Sequence, residues 1–181
     1  EWYPKMAGSY HLGQLSVFDN LKFRGAWGQT GNMPQAKAKY TTMGSSNIGG
    51  INGLVASSTR GNPSIKPERT TEIEFGTDFS LMGGLANVEA TFYQQAIEDL
   101  ILLVDEAPSS GASNSWQNGG EMETKGLELA LGLNPTSLVD LGGIDWNLEL
   151  TYYTNESEVT KLNVDPYNFG GFATFLGTYR I

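Results

Sequence analysis

Apolar and polar residues alternate with a two-residue period over several stretches of the chain, and that alternation predicts strands. Ile73, Phe75, Phe79 and Leu81 take odd positions with Glu72, Glu74, Asp78 and Ser80 between them, the pattern of a strand with one apolar face. Met82-Gly83-Gly84-Leu85 breaks the run. It resumes with Ala86, Val88, Ala90 and Phe92 on one side and Asn87, Glu89, Thr91 and Tyr93 on the other, so the two runs read as a hairpin. Leu127, Leu129, Leu131 and Leu133 alternate with Glu128, Ala130, Gly132 and Asn134, and Trp146, Leu148, Leu150 and Tyr152 with Asn147, Glu149, Thr151 and Tyr153. Leu21, Phe23 and Trp27 against Lys22, Arg24 and Ala26 give another strand. Trp2 to Tyr10 gives a looser one, weakened by Pro4 and Gly8. Phe172 to Ile181 is expected to open a further strand, which makes six or seven, and no helix of ordinary length is predicted.

The connections alternate as well. Those after Leu12, Met82 and Asn134 are short (His11–Asn20, Met82–Leu85, Asn134–Gly143), whereas those after Thr30, Val104 and Asn155 are long. The stretch Met33 to Arg69 lacks periodicity, the stretches Asp105 to Gly120 and Asn155 to Gly171 read as loops, and Gly49-Gly50 with Gly53 read as flexible loop. Leu100 to Val104 interrupts the alternation, and either a bulge or an extension of the strand into a second environment accounts for it. Short turns on one end and long loops on the other suit an all-β, antiparallel up-and-down meander that forms a segment of a large transmembrane β-barrel, with the short turns in the periplasm. A soluble sandwich also alternates, but it favours Greek-key crossings and sorts its loops less strictly, so the barrel is the preferred reading. In a barrel, Phe23, Trp27, Ile73, Phe75, Phe79, Val88, Phe92, Leu127, Leu129, Leu131, Leu148 and Leu150 are expected to face lipid.

Composition narrows the function classes. Eleven Lys and Arg against 20 Asp and Glu give a net charge of −9, which argues against a nucleic-acid partner. There is no Cys and one His, so disulfides, thiolate zinc sites and cysteine nucleophiles are excluded, and a His-based metal site or triad lacks partners around His11. The chain begins with Glu1 and is expected to be a piece of a longer one. Glu72 with Glu74, Glu121 with Glu123, and Glu98 with Asp99 are carboxylate pairs of the kind glycosidases use. With no apolar pocket in view to separate their pKa values, acidic side chains lining a wet lumen are the stronger reading. The expectation is therefore a non-enzymatic protein with no cofactor and no metal. Asn155-Glu156-Ser157 matches a glycosylation sequon by accident of composition. Trp116, Tyr167 and Phe169 stand in the long loops beside Asn114, Asn118 and Asn168. An aromatic ring flanked by amides suits stacking on a sugar ring, with the amides on its hydroxyls, although loop packing is the commoner role for such rings.

Three motifs then add a resemblance. Leu21-Lys22-Phe23-Arg24-Gly25-Ala26-Trp27-Gly28-Gln29-Thr30-Gly31-Asn32 resembles the strand of the TonB-dependent outer-membrane receptors of the SusC/RagA type that ends in Gly-Gln-Thr-Gly-Asn. Gly61-Asn62-Pro63-Ser64-Ile65-Lys66-Pro67-Glu68 is similar to that family's Gly-Asn-Pro-x-Leu-Lys-x-Glu segment, with Pro67 where an aromatic is common. Asn118 to Leu129 is similar to its Asn-x-Gly-x-Met-x-Asn-Lys-Gly-x-Glu segment, with Thr124 where Asn is common. The resemblance reaches to about Lys161 and implies a barrel of about 22 strands around an N-terminal plug. It also implies a place in the outer membrane of a Gram-negative bacterium and partners in outer-membrane lipid, the rest of the barrel and plug, TonB and a SusD-like surface lipoprotein. The cargo it implies is an oligosaccharide or a peptide; a soluble β-sandwich module that binds carbohydrate and a passive outer-membrane pore are the alternative readings. Residues 1–181 are then a plug-less fragment of such a barrel, and Asn114, Trp116, Asn118, Tyr167 and Phe169 are its candidate ligand contacts.

Overall fold

The computed structural model describes residues 2–13, 15, 17–137, 143 and 146–165. Among the described residues eleven strands follow one another: β1 (Lys5–His11), β2 (Phe18–Asn32), β3 (Met43–Ile48), β4 (Ile51–Ala56), β5 (Thr59–Arg60), β6 (Glu68–Leu81), β7 (Ala86–Glu98), β8 (Ile101–Asp105), β9 (Asn114–Asn118), β10 (Gly120–Leu133) and β11 (Leu148–Leu162). Short 3-10 turns occupy Pro108–Ser110 and Pro135–Ser137. Six strands form one sheet in the order β1-β2-β6-β7-β10-β11, which is the expected meander once the excursions are set aside. The alternation located every one of these six. The strands run longer than it indicated: β2 begins at Phe18 rather than Leu21, and β11 continues to Leu162, well into the stretch expected as a loop after Asn155. The first strand starts at Lys5, beyond Pro4, which has no N–H for a ladder. The expected strand over Phe172 to Ile181 lies outside the described residues.

The chain divides into two compact units. The described residues of Glu1–Gln29, Thr71–Gln95 and Thr124–Ser157 form the first, and those of Thr30–Thr70, Ala96–Glu123 and Glu158–Ile181 the second. The first holds sheet and short turns. In β1 and β2, Met6 sits opposite Trp27 and Tyr10 opposite Phe23, while Ser9 sits opposite Arg24 and His11 opposite Lys22, so apolar and polar positions segregate to opposite faces. Large apolar side chains also stand in the open on the other strands of this unit: Phe75 on β6 is 61% exposed and Leu150 on β11 52%. Arg24 reaches from β2 to Glu74 (2.9 Å) and Asp78 (3.1 Å) on β6 and to the Thr91 hydroxyl (2.7 Å) on β7, and Lys22 adds a second cation to Asp78. Gly76 makes the reach possible. A Cβ there would lie 2.7 Å from Arg24 Nε and displace the guanidinium. Likewise the Tyr93 ring covers Gly126, where an added Cβ would overlap it. At the β6–β7 turn Met82, Gly83 and Gly84 all take left-handed backbone, and the Gly84 N–H donates to Asp19 Oδ2 (3.1 Å).

The second unit corrects the loop assignments. Inside the stretch that lacks periodicity, β3 and β4 pair as a hairpin whose two-residue turn is Gly49-Gly50, with Ile48 opposite Ile51. Both glycines have positive φ, as the primed turns of hairpins require, so they are a fixed turn rather than flexible loop. The expected loop from Asp105 contains β9, which pairs antiparallel with β8 and parallel with β5 in a three-stranded sheet. Leu100–Val104 is resolved by the same sheet. Asp99 turns the chain at φ 56° and the apolar run then enters β8, so the extension into a second environment is correct and the bulge is not. Among the described residues the buried apolar side chains are Ala38, Ile65 and Val104, all in this unit.

Candidate functional site

The segment that follows β5 and the strand β9 run side by side, touch at two ends and part between them. At one end the Ser113 N–H donates to the Ser58 carbonyl (2.7 Å), and Thr59 and Arg60 pair with Asn114 and Ser115. At the other end Asn118 clamps Lys66. Its Oδ1 accepts the Lys66 N–H (2.8 Å) and its Nδ2 donates to the Lys66 carbonyl (3.0 Å), as a strand partner would. Between the two ends the chain bows away because other partners pull it. The Gly61 backbone lies so close to that of Tyr40 and Thr41 that no Cβ fits there, and the Asn62 N–H donates to the Ala38 carbonyl (2.8 Å). Asn62 Oδ1 then accepts the Ser64 N–H (3.0 Å), closing a turn that delivers Ile65 into the interior. The gap is a cleft of about 370 Å³ lined by Arg60, Gly61, Asn62, Pro63, Glu106, Ser115, Trp116, Gln117 and Asn118.

The charges in this cleft neutralise each other. The Arg60 guanidinium lies 3.4 Å from Glu106 Oε2 and donates to the Ser110 carbonyl (2.9 Å). A hydrogen bond from the buried Ser115 hydroxyl, with lesser help from Ser110 and the Arg60 charge, holds the Glu106 carboxyl below the usual carboxylate range against the opposing effect of burial. What remains to a ligand is the Trp116 ring beside amide, hydroxyl and neutralised ionic groups, a surface suited to neutral polar molecules with an apolar face.

The candidate residues separate under this geometry. Asn114, Trp116 and Asn118 alternate along β9 and so share a side of the strand, with Trp116 opposite Leu103. Trp116 lines the cleft. Asn118 lines it too, but both of its Nδ2 protons are engaged, by Lys66 and by the Asp99 carbonyl (2.8 Å). Asn114 Oδ1 is buried with no hydrogen-bond partner. Tyr167 and Phe169 lie outside the described residues. Arg60, Asn62 and Glu106 were not singled out by the sequence. Asn62 carried a signal as part of the Gly61–Glu68 motif, whereas nothing local marks Glu106 as the partner of a cation 46 positions away.

The three motifs meet in the second unit. Asn32, the end of the first, donates to Glu68 Oε2 (2.6 Å) at the end of the second; Glu68 Oε1 accepts the Ile101 N–H (2.8 Å); and Asn118, the start of the third, holds Lys66 of the second. Of the carboxylates considered for paired chemistry, Glu74 belongs to the Arg24 network, Glu121 pairs with Lys161 (2.9 Å), and Glu72 accepts from Gln95 (3.2 Å). No group of three or more metal-ligating side chains occurs among the described residues.

Comparison with known proteins follows the same lines. The family described as TonB dependent receptor-like, beta-barrel matches residues 1–180. TonB-dependent receptor P26 of Formosa agariphila is 26% identical over 174 residues, which cover 90% of this chain and 17% of that protein; TonB-dependent receptor P39 of the same organism is 26% identical over 173 residues, 93% of this chain and 16% of that one. The chain thus spans about a sixth of the length of these relatives. In fold it is similar to a chain of the RagAB peptide importer in its closed-closed state, with a TM-score of 0.84 at 21% identity over 98% of this chain and 20% of that one. The siderophore receptor PirA from Pseudomonas aeruginosa gives a TM-score of 0.54 at 17% identity, over 88% and 30% of the two chains.

Proposed function

The chain belongs to the TonB-dependent receptor-like β-barrel family, and from that premise we propose that it contributes six strands and two extracellular excursions to an outer-membrane receptor that imports oligosaccharides or peptides. In this reading residues 1–181 are barrel only. The plug, the TonB contact and the SusD-like surface lipoprotein belong to the intact receptor, whose cargo touches Trp116 in the cleft, with Asn114, outside the cleft lining on the same strand, and Tyr167 and Phe169 as further candidate contacts. Asn118 shapes the cleft and adds its remaining acceptor lone pair. No enzymatic step is assigned.

The observation that carries this reading is the division of the chain. The sheet of the first unit leaves large apolar side chains in the open, as lipid-facing strands do, while the long connections build a cleft with an aromatic wall and neutralised charges. The name of the RagAB peptide importer supports a peptide cargo; the Trp116 ring beside amides suits a sugar equally well. Growth of a strain carrying the intact receptor, and of its deletion mutant, on a panel of oligosaccharides and peptides as sole carbon source tests it. The deletion should abolish growth on one class, and deletion of TonB should do the same. Growth of the mutant on the whole panel at the parent rate would sink the proposal. Sidedness is tested separately with an impermeant thiol reagent on whole cells, which should label Cys at Ser113 and spare Cys at Leu15, an exposed position in the short β1–β2 connection.

A further inference from the structure

We propose that Asn118 and Glu68 are positioning residues that fix the opening of the Trp116 cleft. The cleft exists because two chain segments paired at both ends part in the middle, so its width depends on whether both ends stay closed. One end is closed by backbone: Ser58 with Ser113, and the two parallel pairs of β5 with β9. The other end has no backbone ladder. There, a single amide supplies both halves of a strand-like pairing with Lys66, and its second Nδ2 proton holds the carbonyl of Asp99, the left-handed residue at which the chain turns into β8. Two residues on, Glu68 takes the Ile101 N–H with one oxygen and the Asn32 amide with the other, so the start of β8 and the end of β2 are tied to the segment that carries Lys66.

Side-chain chemistry is specific at these positions. An ionised carboxylate accepts on both oxygens, and a primary amide both accepts and donates, so neither residue is replaced by its isostere without loss. Glu68→Gln keeps an acceptor for Ile101 but replaces the charge-assisted bond from Asn32 by a weaker neutral one, formed only if the Asn32 amide turns its oxygen toward the new NH2. Pairing it with Asn32→Asp restores the complement, because the new amide then donates to the new carboxylate. Asn118→Asp keeps the acceptor for the Lys66 N–H and sets a carboxylate against two carbonyl oxygens. These pairings rest on geometry inside the second unit alone; only their consequence for cargo rests on the proposed reading of the cleft.

The test uses the intact receptor carrying spin labels at Ser64, on the bowed segment, and Ser113, at the closed end, both exposed positions. The parent should give one narrow distance distribution. Asn118→Ala and Glu68→Ala should broaden it, and the Lys66 amide should exchange roughly tenfold faster in the first of these. The heat-modifiability midpoint of the barrel should not move, which a merely stabilising role would not allow. Glu68→Gln should broaden the distribution partly, and Glu68→Gln with Asn32→Asp should narrow it again. If an alanine variant fails to insert, Glu68→Gln and its rescue carry the decision. An unchanged distribution in the variants, or a double variant that inserts without restoring it, would overturn the assignment. Because the distance is read without cargo, it can hold while the growth panel fails, so failure of the clamp and failure of the import reading are distinguished.

Discussion

The two units obtain their order in different ways. In the first, the ladder between long strands satisfies the backbone, so polar side chains bond mainly to other side chains: Arg24 with Glu74, Asp78 and Thr91, Gln29 with Thr71, Thr124 with Ser157. In the second, irregular chain leaves amides and carbonyls without ladder partners, and polar side chains supply them: Asn118 to Lys66 and Asp99, Glu68 to Ile101, Asn62 to Ser64, Asn47 to the Gly50 N–H, Thr41 to the Gly61 N–H. The apolar side chains divide only in part: both units leave large ones in the open, Phe75 and Leu150 in the first and Ile51 and Leu54 in the second, whereas the buried ones among the described residues are all in the second. The first is therefore ordered by its ladder and the side-chain pairs across it, and the second by side chains that complete an irregular backbone around a few buried apolar groups.

The largest expected effect breaks this comparison at its strongest point. If the exposed apolar face of the sheet meets lipid, Leu129→Arg should cost about 2–4 kcal/mol in the intact receptor when that residue lies near the bilayer midplane, and Glu128→Arg on the opposite face far less. Urea unfolding in lipid vesicles measures both. Equal losses at the two neighbours would show that the faces do not differ in environment, and the lipid-facing reading of the sheet would lose its basis.

A sheet with no fully covered apolar side chain among its described residues still has tight points, and these should appear as glycine positions that tolerate no methyl group. Gly126→Ala forces the Tyr93 ring off the strand and should cost roughly 1–3 kcal/mol. Gly132→Ala on the same strand meets Asn87 atoms only at 3.8 Å and should be nearly neutral. Removing the ring with Tyr93→Ala should abolish most of the difference between the two glycines. A Gly126→Ala variant as stable as its Gly132→Ala counterpart would mean the ring yields without loss.

The same contrast explains what could be read from sequence. The six strands of the large sheet showed themselves because a sheet with one apolar face writes a two-residue period into the chain, as at Ile73 to Leu81 and Leu127 to Leu133. The strands β3, β4, β5 and β9 did not. Met43-Gly44-Ser45-Ser46-Asn47-Ile48 has no apolar face to bury, and a ribbon exposed on both sides needs no alternation. Its one legible signal was the Gly-Gly pair between Ile48 and Ile51, which also occurs in flexible loops. At the cleft, Trp116 stood out as an aromatic among amides. Its neighbours Arg60 and Glu106 were illegible because β9 brings β5, which carries Arg60, beside the end of β8, which Glu106 follows, and no spacing along the chain encodes that arrangement. The motifs around Asn32, Glu68 and Asn118 were visible as words, but their role as backbone partners for one another required the geometry.

A smaller effect sharpens the comparison at the cleft. If Trp116 is a cargo contact, Trp116→Ala should weaken binding of the carbon source identified by the growth panel by roughly 1 kcal/mol and leave the heat-modifiability of the barrel where it was. Calorimetry on the purified receptor reads the first and gel mobility after heating the second. A packing role predicts the reverse, with affinity retained in whatever fraction stays ordered and a looser hairpin between β8 and β9. Unchanged affinity would remove Trp116 from the contact surface and leave the cargo to Tyr167, Phe169 and the rest of the receptor.

The smallest effect concerns pH, and it should be confined to the second unit. The Ser115 hydrogen bond, with Ser110 and the Arg60 charge, lowers the Glu106 pKa from an ordinary value of 4.5, so the folded loop binds that proton less readily than the opened one. For a depressed carboxyl the stabilisation is complete above the ordinary value and disappears as pH falls through the lower, folded one. The loop that carries Glu106 should therefore hold its place at neutral pH and at pH 5, and loosen only below the ordinary carboxylate range. Spin labels at Ser64 and Ser109, both exposed, should report a distance distribution that broadens in that acid window and recovers on return to neutrality. Glu106→Gln, which cannot ionise, should give the same distribution at pH 3 and pH 7, and the label pair should respond while the strands of the first unit do not. Broadening centred well above the ordinary carboxylate value would assign the transition to another group and separate Glu106 from the order of the cleft.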